Sequence, residues 1–252
     1  MKKIIAIANQ KGGVGKTTTS INLAAALGAA KRKILLVDLD PQGNATMGSG
    51  VNKNKLQFSL TELLLAEASI ENVLLSLNGP GYDLLPANGD LVAAEVALLA
   101  KPNKERCLKN ILDSVKHIYD YIIIDCPPSL NVLTLNALVA AESLIIPLQC
   151  EYYALEGLSS LLENIAIIKK NANPDLELAG ILRTMYDSRN KLAIEVSEQL
   201  LKHFPQQVFR TVIPRNIRLA EAPSYGKSVI EYDKRSQGAI GYLALAGELL
   251  RK

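Results

Sequence analysis

The chain is poor in the residues that cross-link or anchor a protein. Three cysteines in 252 residues, Cys107, Cys126 and Cys150, are odd in number and lack C-x-x-C spacing. That excludes a disulfide framework and fits a reducing, cytoplasmic compartment, with each thiol read as a small core residue. Long apolar runs are also missing. The nearest to one, 131–148, is broken by Asn136, Glu142 and Pro147, so nothing approaches the ~18 residues of a membrane span. After Met1-Lys2-Lys3 only Ile4 to Ala8 are apolar before Asn9, Gln10 and Lys11 intervene, too short a stretch for the core of a signal peptide. Charge of one sign is not in excess either: the formal net charge is +3, and bulk electrostatics single out no partner. No repeat, low-complexity tract or linker divides the sequence, so a single domain over 1–252 is expected.

What is present is an alternation of short apolar runs and helical patterns. Runs at 33–39, 82–86, 121–125, 144–148, 178–182 and 208–213 read as strands, joining the one that ends at Ala8. Helical patterns cover 20–30, 91–100, 103–119 and 235–250, and a further helix is expected from the Ser59-x-x-Glu62 capping box through about Leu77. Strand-helix units joined by short loops predict an α/β fold, a twisted, mostly parallel sheet with helices on both faces and right-handed crossovers.

The most informative stretch lies between the first strand and the first helix: Lys11-Gly12-Gly13-Val14-Gly15-Lys16-Thr17-Thr18. Strand, glycine loop and helix in that order make a phosphate cradle, the hallmark of a P-loop NTPase. Glycines let successive backbone N–H groups turn toward anionic oxygens, and the helix N-terminus adds its partial positive charge. Lys16 reaches the terminal phosphates and Thr17 can ligate Mg²⁺. The loop departs from G-x-x-x-x-G-K-[ST], since Gln10 stands where the first glycine belongs and a second lysine, Lys11, takes part. A match of this kind arises by chance in on the order of 1 in 10,000 chains of this size.

In an open parallel sheet the ligand lies beyond the carboxyl ends of the strands. Asp38, Asp40 and Asp125 all stand there. Asp125 closes a run of isoleucines as a Walker B aspartate does, and is expected to hold Mg²⁺ through a water. Asp38 is assigned to the metal beside it, and Asp40 to positioning the attacking water. A lone aspartate in such a place is usually a cap or turn former; three beside a phosphate loop argue for chemistry.

The sequence is also asymmetric. From Arg183 onward there are 12 Lys and Arg against 7 Asp and Glu, whereas the first 182 residues hold 16 against 18. Arg189, Arg215, Arg218 and Lys227 fall in loops or at element ends, where side chains can converge on a phosphate backbone; a solvated basic surface is the plain alternative.

Three segments together, 11–18, Asp38-Leu39-Asp40-Pro41-Gln42-Gly43-Asn44 and Ile124-Asp125-Cys126-Pro127-Pro128-Ser129, resemble the signature motifs of the ParA/Soj partition ATPases, of the deviant Walker A class. The resemblance extends to Ile213-Pro214-Arg215-Asn216 and Leu219-Ala220-Glu221-Ala222-Pro223, and so covers essentially the whole chain. No helix-turn-helix segment precedes Lys3, as in the short chromosomal members. The resemblance implies an ATP- and Mg²⁺-dependent sandwich homodimer in which Lys11 reaches the partner's phosphates as an arginine finger would. It implies that Pro214 and Asn216 flank the adenine. It further implies binding of non-specific double-stranded DNA on the nucleoid, through positions that include Arg189 and Arg218, and a ParB-like centromere-binding protein that accelerates a weak ATPase.

Two rivals share the first motif. A MinD-like membrane ATPase would end in a basic amphipathic helix, but 238–252 is rich in alanine and glycine with two terminal basic residues, and reads as a packed core helix with no stable membrane anchor. A redox carrier like the nitrogenase iron protein would need paired cysteines. Lys16→Ala is expected to abolish nucleotide binding in a titration with a fluorescent ATP analogue; retained affinity would remove the phosphate-loop assignment.

Overall fold

The inner strands read as unbroken apolar runs because both of their faces are covered, so successive residues enter two different cores. In the computed structural model, which describes residues 3–77, 79 and 81–251, this is what the chain does. Met1, Lys2 and Lys252, named above, lie outside the described residues.

The first half runs β1 (Lys3–Ile7), α1 (Lys16–Ala29), β2 (Ile34–Asp38), α2 (Asn44–Gly48), α3 (Leu60–Leu65), α4 (Ile70–Val73), β3 (Leu75–Ser76), β4 (Asp83–Leu85), α5 (Leu91–Leu99) and α6 (Cys107–Val115). The second half runs β5 (Tyr121–Asp125), α7 (Val132–Ala140), β6 (Ser143–Gln149), α8 (Ala154–Asn171), β7 (Glu177–Tyr186), α9 (Lys191–His203), β8 (Val208–Pro214), α10 (Ile217–Glu221), α11 (Val229–Tyr232) and α12 (Gln237–Leu250).

Among the described residues the strands form one sheet in the order β3-β4-β2-β5-β1-β6-β7-β8. Every pairing is parallel except β3 with β4, where Leu75 stands opposite Leu84. Ile4, Ala6, Ile122, Ile124, Leu144 and Ile146 face one core, with α5 to α9 packed over it. Ile5, Ile7, Ile123, Ile145, Leu182 and Phe209 face the other, under α1 and α12. The expected α/β architecture, mostly parallel with helices on both faces, is therefore present.

Two local expectations are corrected. The helix predicted from Ser59 through Leu77 stops after Leu65. Ser59 and Glu62 do form the capping box, but Ala66 turns left-handed (φ 64°) and the Glu67 N–H returns to the Glu62 carbonyl at 2.8 Å, a C-terminal closure that ends the helix. The remainder becomes the short α4 and the antiparallel edge strand β3. The helix predicted over 103–119 begins as a 3₁₀ turn at 104–106 and is α-helical over Cys107–Val115.

Two close approaches fix the helices on the second core. A Cβ on Gly238 of α12 would lie 2.6 Å from Leu219 Cγ and 3.2 Å from Asn216 Oδ1, so the missing side chain lets α12 close on the segment that follows β8. The 238–250 stretch is thus packed, with Ala239, Tyr242, Leu245, Ala246 and Leu249 all buried, as its composition indicated. On α1, a Cβ at Gly28 would lie 2.4 Å from the backbone carbonyl oxygen of Gly81. Helix propensity alone favours alanine over glycine by about 1 kcal/mol, but backbone yields little. Gly28→Ala is therefore expected to destabilise the protein by about 1–3 kcal/mol, read as a lower thermal midpoint; a midpoint at or above wild type would refute this packing.

Candidate functional site

Of the residues singled out in the sequence, most of the glycine loop, Asp40, Pro214, Arg215 and Asn216 stand together at the carboxyl ends of the strands. A cleft of about 530 Å³ opens there. It is lined by Gly12, Gly13, Gly15, Lys16, Thr17 and Thr18 of the loop, by Asp40, Gln42 and Asn44, and by Thr184, Met185, Pro214, Arg215, Asn216 and Tyr242.

The loop owes its shape to glycine at Gly13 (φ 75°) and Gly15 (φ 85°), left-handed positions that side chains rarely adopt. Gly15 is the N-cap of α1, which consequently starts at Lys16 rather than at Ser20. The Lys16 ammonium donates to the Lys11 carbonyl at 3.0 Å, so the loop folds round its own lysine. Burial lowers the Lys16 pKa, and the nearby Asp125 opposes that shift.

Behind the loop, Thr17 Oγ1 donates to Asp125 Oδ2 at 2.8 Å and Ser20 Oγ donates to Asp125 Oδ1 at 2.7 Å. Asp125 has no exposed surface. Burial, then the charge of Asp38, raises its pKa, and the two hydroxyl donors moderate the rise. Ser20 was missed in the sequence, although its place three residues after Thr17 on one helix face was a usable signal.

Asp38 and Asp40 have separate environments. Asp40 lines the cleft, with its Oδ1 accepting the Gln42 N–H at 2.9 Å. Asp38 is fully buried. Its Oδ2 accepts both the N–H and the hydroxyl of Thr46 at 2.7 Å, and its Oδ1 accepts the Asp40 N–H at 3.2 Å. Its oxygens thus anchor α2 and the Asp40 turn, away from the cleft surface. Its pKa too is raised, by burial.

Lys11 belongs to the loop but does not line its own cleft; its ammonium pairs with Glu151 at the surface. Pro214 and Asn216 do line it, with Asn216 Oδ1 accepting the Arg218 N–H at 3.1 Å. Of the four cationic residues, Arg215 is in the cleft wall. Arg189 is paired with Asp187 in the β7–α9 loop, Arg218 on α10 with Glu221 and Asp233, and Lys227 is exposed beyond the 222–225 turn. Glu151, Thr46 and Thr184 left no sequence signal, because their partners are distant in the chain or of ordinary type.

This geometry has known counterparts. A family model described as an AAA domain matches residues 2–178. The sporulation initiation inhibitor protein Soj of Bacillus subtilis is 51% identical over 249 residues, covering 99% of this chain and 98% of that protein. The chain belongs to the ParA/Soj family. The chromosome partitioning protein ParA of Myxococcus xanthus is another such relative, 52% identical over 99% of this chain and 88% of its own. Among solved structures, cobyrinic acid a,c-diamide synthase of Mycobacterium smegmatis superposes with a TM-score of 0.87 at 41% identity, over 100% of this chain and 95% of that one. It has been crystallised with an ATP analogue and magnesium, and with ADP and magnesium. The cell division ATPase MinD of Pyrococcus furiosus is more distant, with a TM-score of 0.82 at 27% identity, over 100% of this chain and 99% of that one.

The ParA/Soj phosphate loop thus sits in this chain over a buried carboxylate whose charge is costly without a cation. Because folding raises the Asp125 pKa, the metal-free fold keeps a proton that the unfolded chain releases near its ordinary value of 3.8. This residue's contribution to stability accordingly falls as pH rises through that window. Asp125→Asn is expected to raise the thermal midpoint of the metal-free protein by about 2–4 °C per kcal/mol relieved, more at pH 8 than at pH 5.5. It is also expected to lose the further stabilisation that Mg²⁺ adds to ATP. A midpoint difference independent of pH would contradict the buried-charge account.

Proposed function

We propose that this member of the ParA/Soj family is a Mg²⁺-dependent ATPase that pairs on ATP, holds non-specific double-stranded DNA in the paired form, and is accelerated by a ParB-like partner. The observation that carries this reading is the placement of Lys11. A phosphate-loop lysine that faces away from its own cleft, held by an exposed ion pair with Glu151, is positioned to serve a second copy. An exposed pair of this kind is worth at most about 1 kcal/mol, so it is readily exchanged for a partner's phosphate oxygens.

The remaining roles follow from position. The amides of Gly12, Gly13, Val14 and Gly15, together with Lys16 and Thr18, would cradle the phosphates at the start of α1. Thr17 would bind Mg²⁺ directly and Asp125 would act through it or through a water; such an ion would supply positive charge to offset that of the phosphates. The donor set fits such an ion, since a buried carboxylate with two hydroxyls stands one side chain behind the cleft. Asp40, on the cleft surface, would orient the attacking water. Asn216, with its Oδ1 engaged by Arg218 N–H, would offer its Nδ2 donor to the adenine edge beside Pro214. Lys11 and Lys16 would stabilise charge developing on the transferred phosphoryl oxygens.

DNA contact is assigned to Arg189, Arg215, Arg218 and Lys227. Pairing would double this set, so binding should fall steeply with salt. Arg189 and Arg218 would first exchange their present carboxylate partners for phosphates. The MinD-like alternative needs an apolar helix face free for lipid, whereas the apolar side of α12 is spent on the second core. No helix among the described residues is long and apolar enough to cross a membrane. The expected location is the cytoplasm, on the nucleoid.

Retardation of non-specific DNA across a salt series tests the reading. Wild type is expected to retard DNA with ATP but not ADP. Asp40→Ala is expected to stay dimeric and DNA-bound with ATP, and Arg218→Glu to dimerise without retarding DNA. ATP-dependent flotation with liposomes and no DNA binding would overturn the proposal in favour of the membrane reading.

A further inference from the structure

One buried polar contact ties β7 to the phosphate loop and has no role in the function proposed for the site. Thr184, near the carboxyl end of β7, is 2% exposed, and its hydroxyl donates to the carbonyl of Val14 at 2.8 Å. The two residues are 170 positions apart, and β6 lies between β7 and the strand that leads into the loop. The Thr184 γ-methyl also stands 3.9 Å from the place a Cβ would take on Gly15, an ordinary packing contact with the same part of the loop.

A peptide unit is planar, and in its trans form the carbonyl and the next N–H point in opposite directions. Holding the Val14 carbonyl therefore fixes the orientation of the Gly15 N–H. That peptide would otherwise be free to turn, because Val14 is flanked by Gly13 and Gly15, both at left-handed torsions that glycine adopts and leaves at little cost. The next residue of β7, Met185, has φ 48°, so the strand bends out of regular geometry immediately after the threonine that reaches the loop.

We propose that Thr184 is a positioning residue for the phosphate-binding loop: its hydroxyl sets the Val14–Gly15 peptide so that the Gly15 amide is presented to a phosphate before any nucleotide arrives. The inference rests on the nucleotide-binding reading. It adds a member to the site from a strand that carries none of the loop's sequence signature. Pre-orientation of this kind acts on affinity, since the loop no longer has to be ordered on binding.

The test compares Thr184→Val, which keeps the shape and removes the hydroxyl, with Thr184→Ser, which keeps the hydroxyl and removes the methyl. Thr184→Val is expected to weaken ADP and ATP binding by roughly 3–10-fold, the worth of one neutral hydrogen bond. It should raise KM more than it lowers kcat, and speed amide hydrogen exchange in 12–18 without nucleotide. Thr184→Ser should restore all of these. Should the valine variant fail to fold, Thr184→Ala against Thr184→Ser isolates the hydroxyl in the same way. Wild-type affinity and exchange in Thr184→Val, or a serine variant as weak as the variant without the hydroxyl, would overturn the inference. A wild-type protein that binds neither ADP nor ATP would instead overturn the nucleotide reading beneath it.

Discussion

Two hydroxyls on the first turns of one helix, converging on one buried carboxylate, hold the working end of this molecule together. Thr17 and Ser20 both donate to Asp125, which sits at the end of β5 with no exposed surface. A carboxyl group buried in that position needs close hydrogen-bond partners, and these bind the start of α1 to the centre of the sheet. Directly before those bonds lie the Gly15 cap and the curl of the loop round Lys16.

Around this centre, the contacts divide by their exposure. Those that shape the cleft are buried hydrogen bonds: Thr46 on Asp38, Thr184 on Val14, Thr19 with Tyr242. Breaking one leaves a polar group stranded away from water, at about 1–3 kcal/mol. Those that would change partner in a working cycle are ion pairs at the surface, Lys11 with Glu151, Arg189 with Asp187, and Arg218 with Glu221 and Asp233. In water these are nearly balanced against solvation. The frame is thus rigid where geometry must be kept and exchangeable where a second copy or a nucleic acid would arrive.

Much of this was legible in the residues. Runs such as Tyr121–Asp125 could be placed to the residue because both faces of an inner strand are apolar. The glycine loop declared itself because φ above zero and close approach to anions demand glycine. The misreading of 59–77 has an equally plain cause. Ser59 and Glu62 announce where a helix begins, but its end depended on Ala66 entering a left-handed conformation that alanine does not advertise, and on β4 offering an edge for Leu75 and Ser76. Asp38 and Asp40, two residues apart at one strand end, look alike in sequence; only their tertiary surroundings, Thr46 for the first and the cleft for the second, tell them apart.

The sequence by itself determined the alternating fold, the phosphate loop, the ParA/Soj membership and the packed end of the chain, because each rests on local periodicity or on short motifs legible within one segment. Tertiary structure alone decided which acidic groups face the cleft, that Lys11 turns outward to Glu151, and that Thr184 reaches the loop from β7. Those facts are contacts between residues far apart in the chain, made by side chains of common type, and no spacing rule encodes which of many threonines or glutamates the folded sheet will bring into reach.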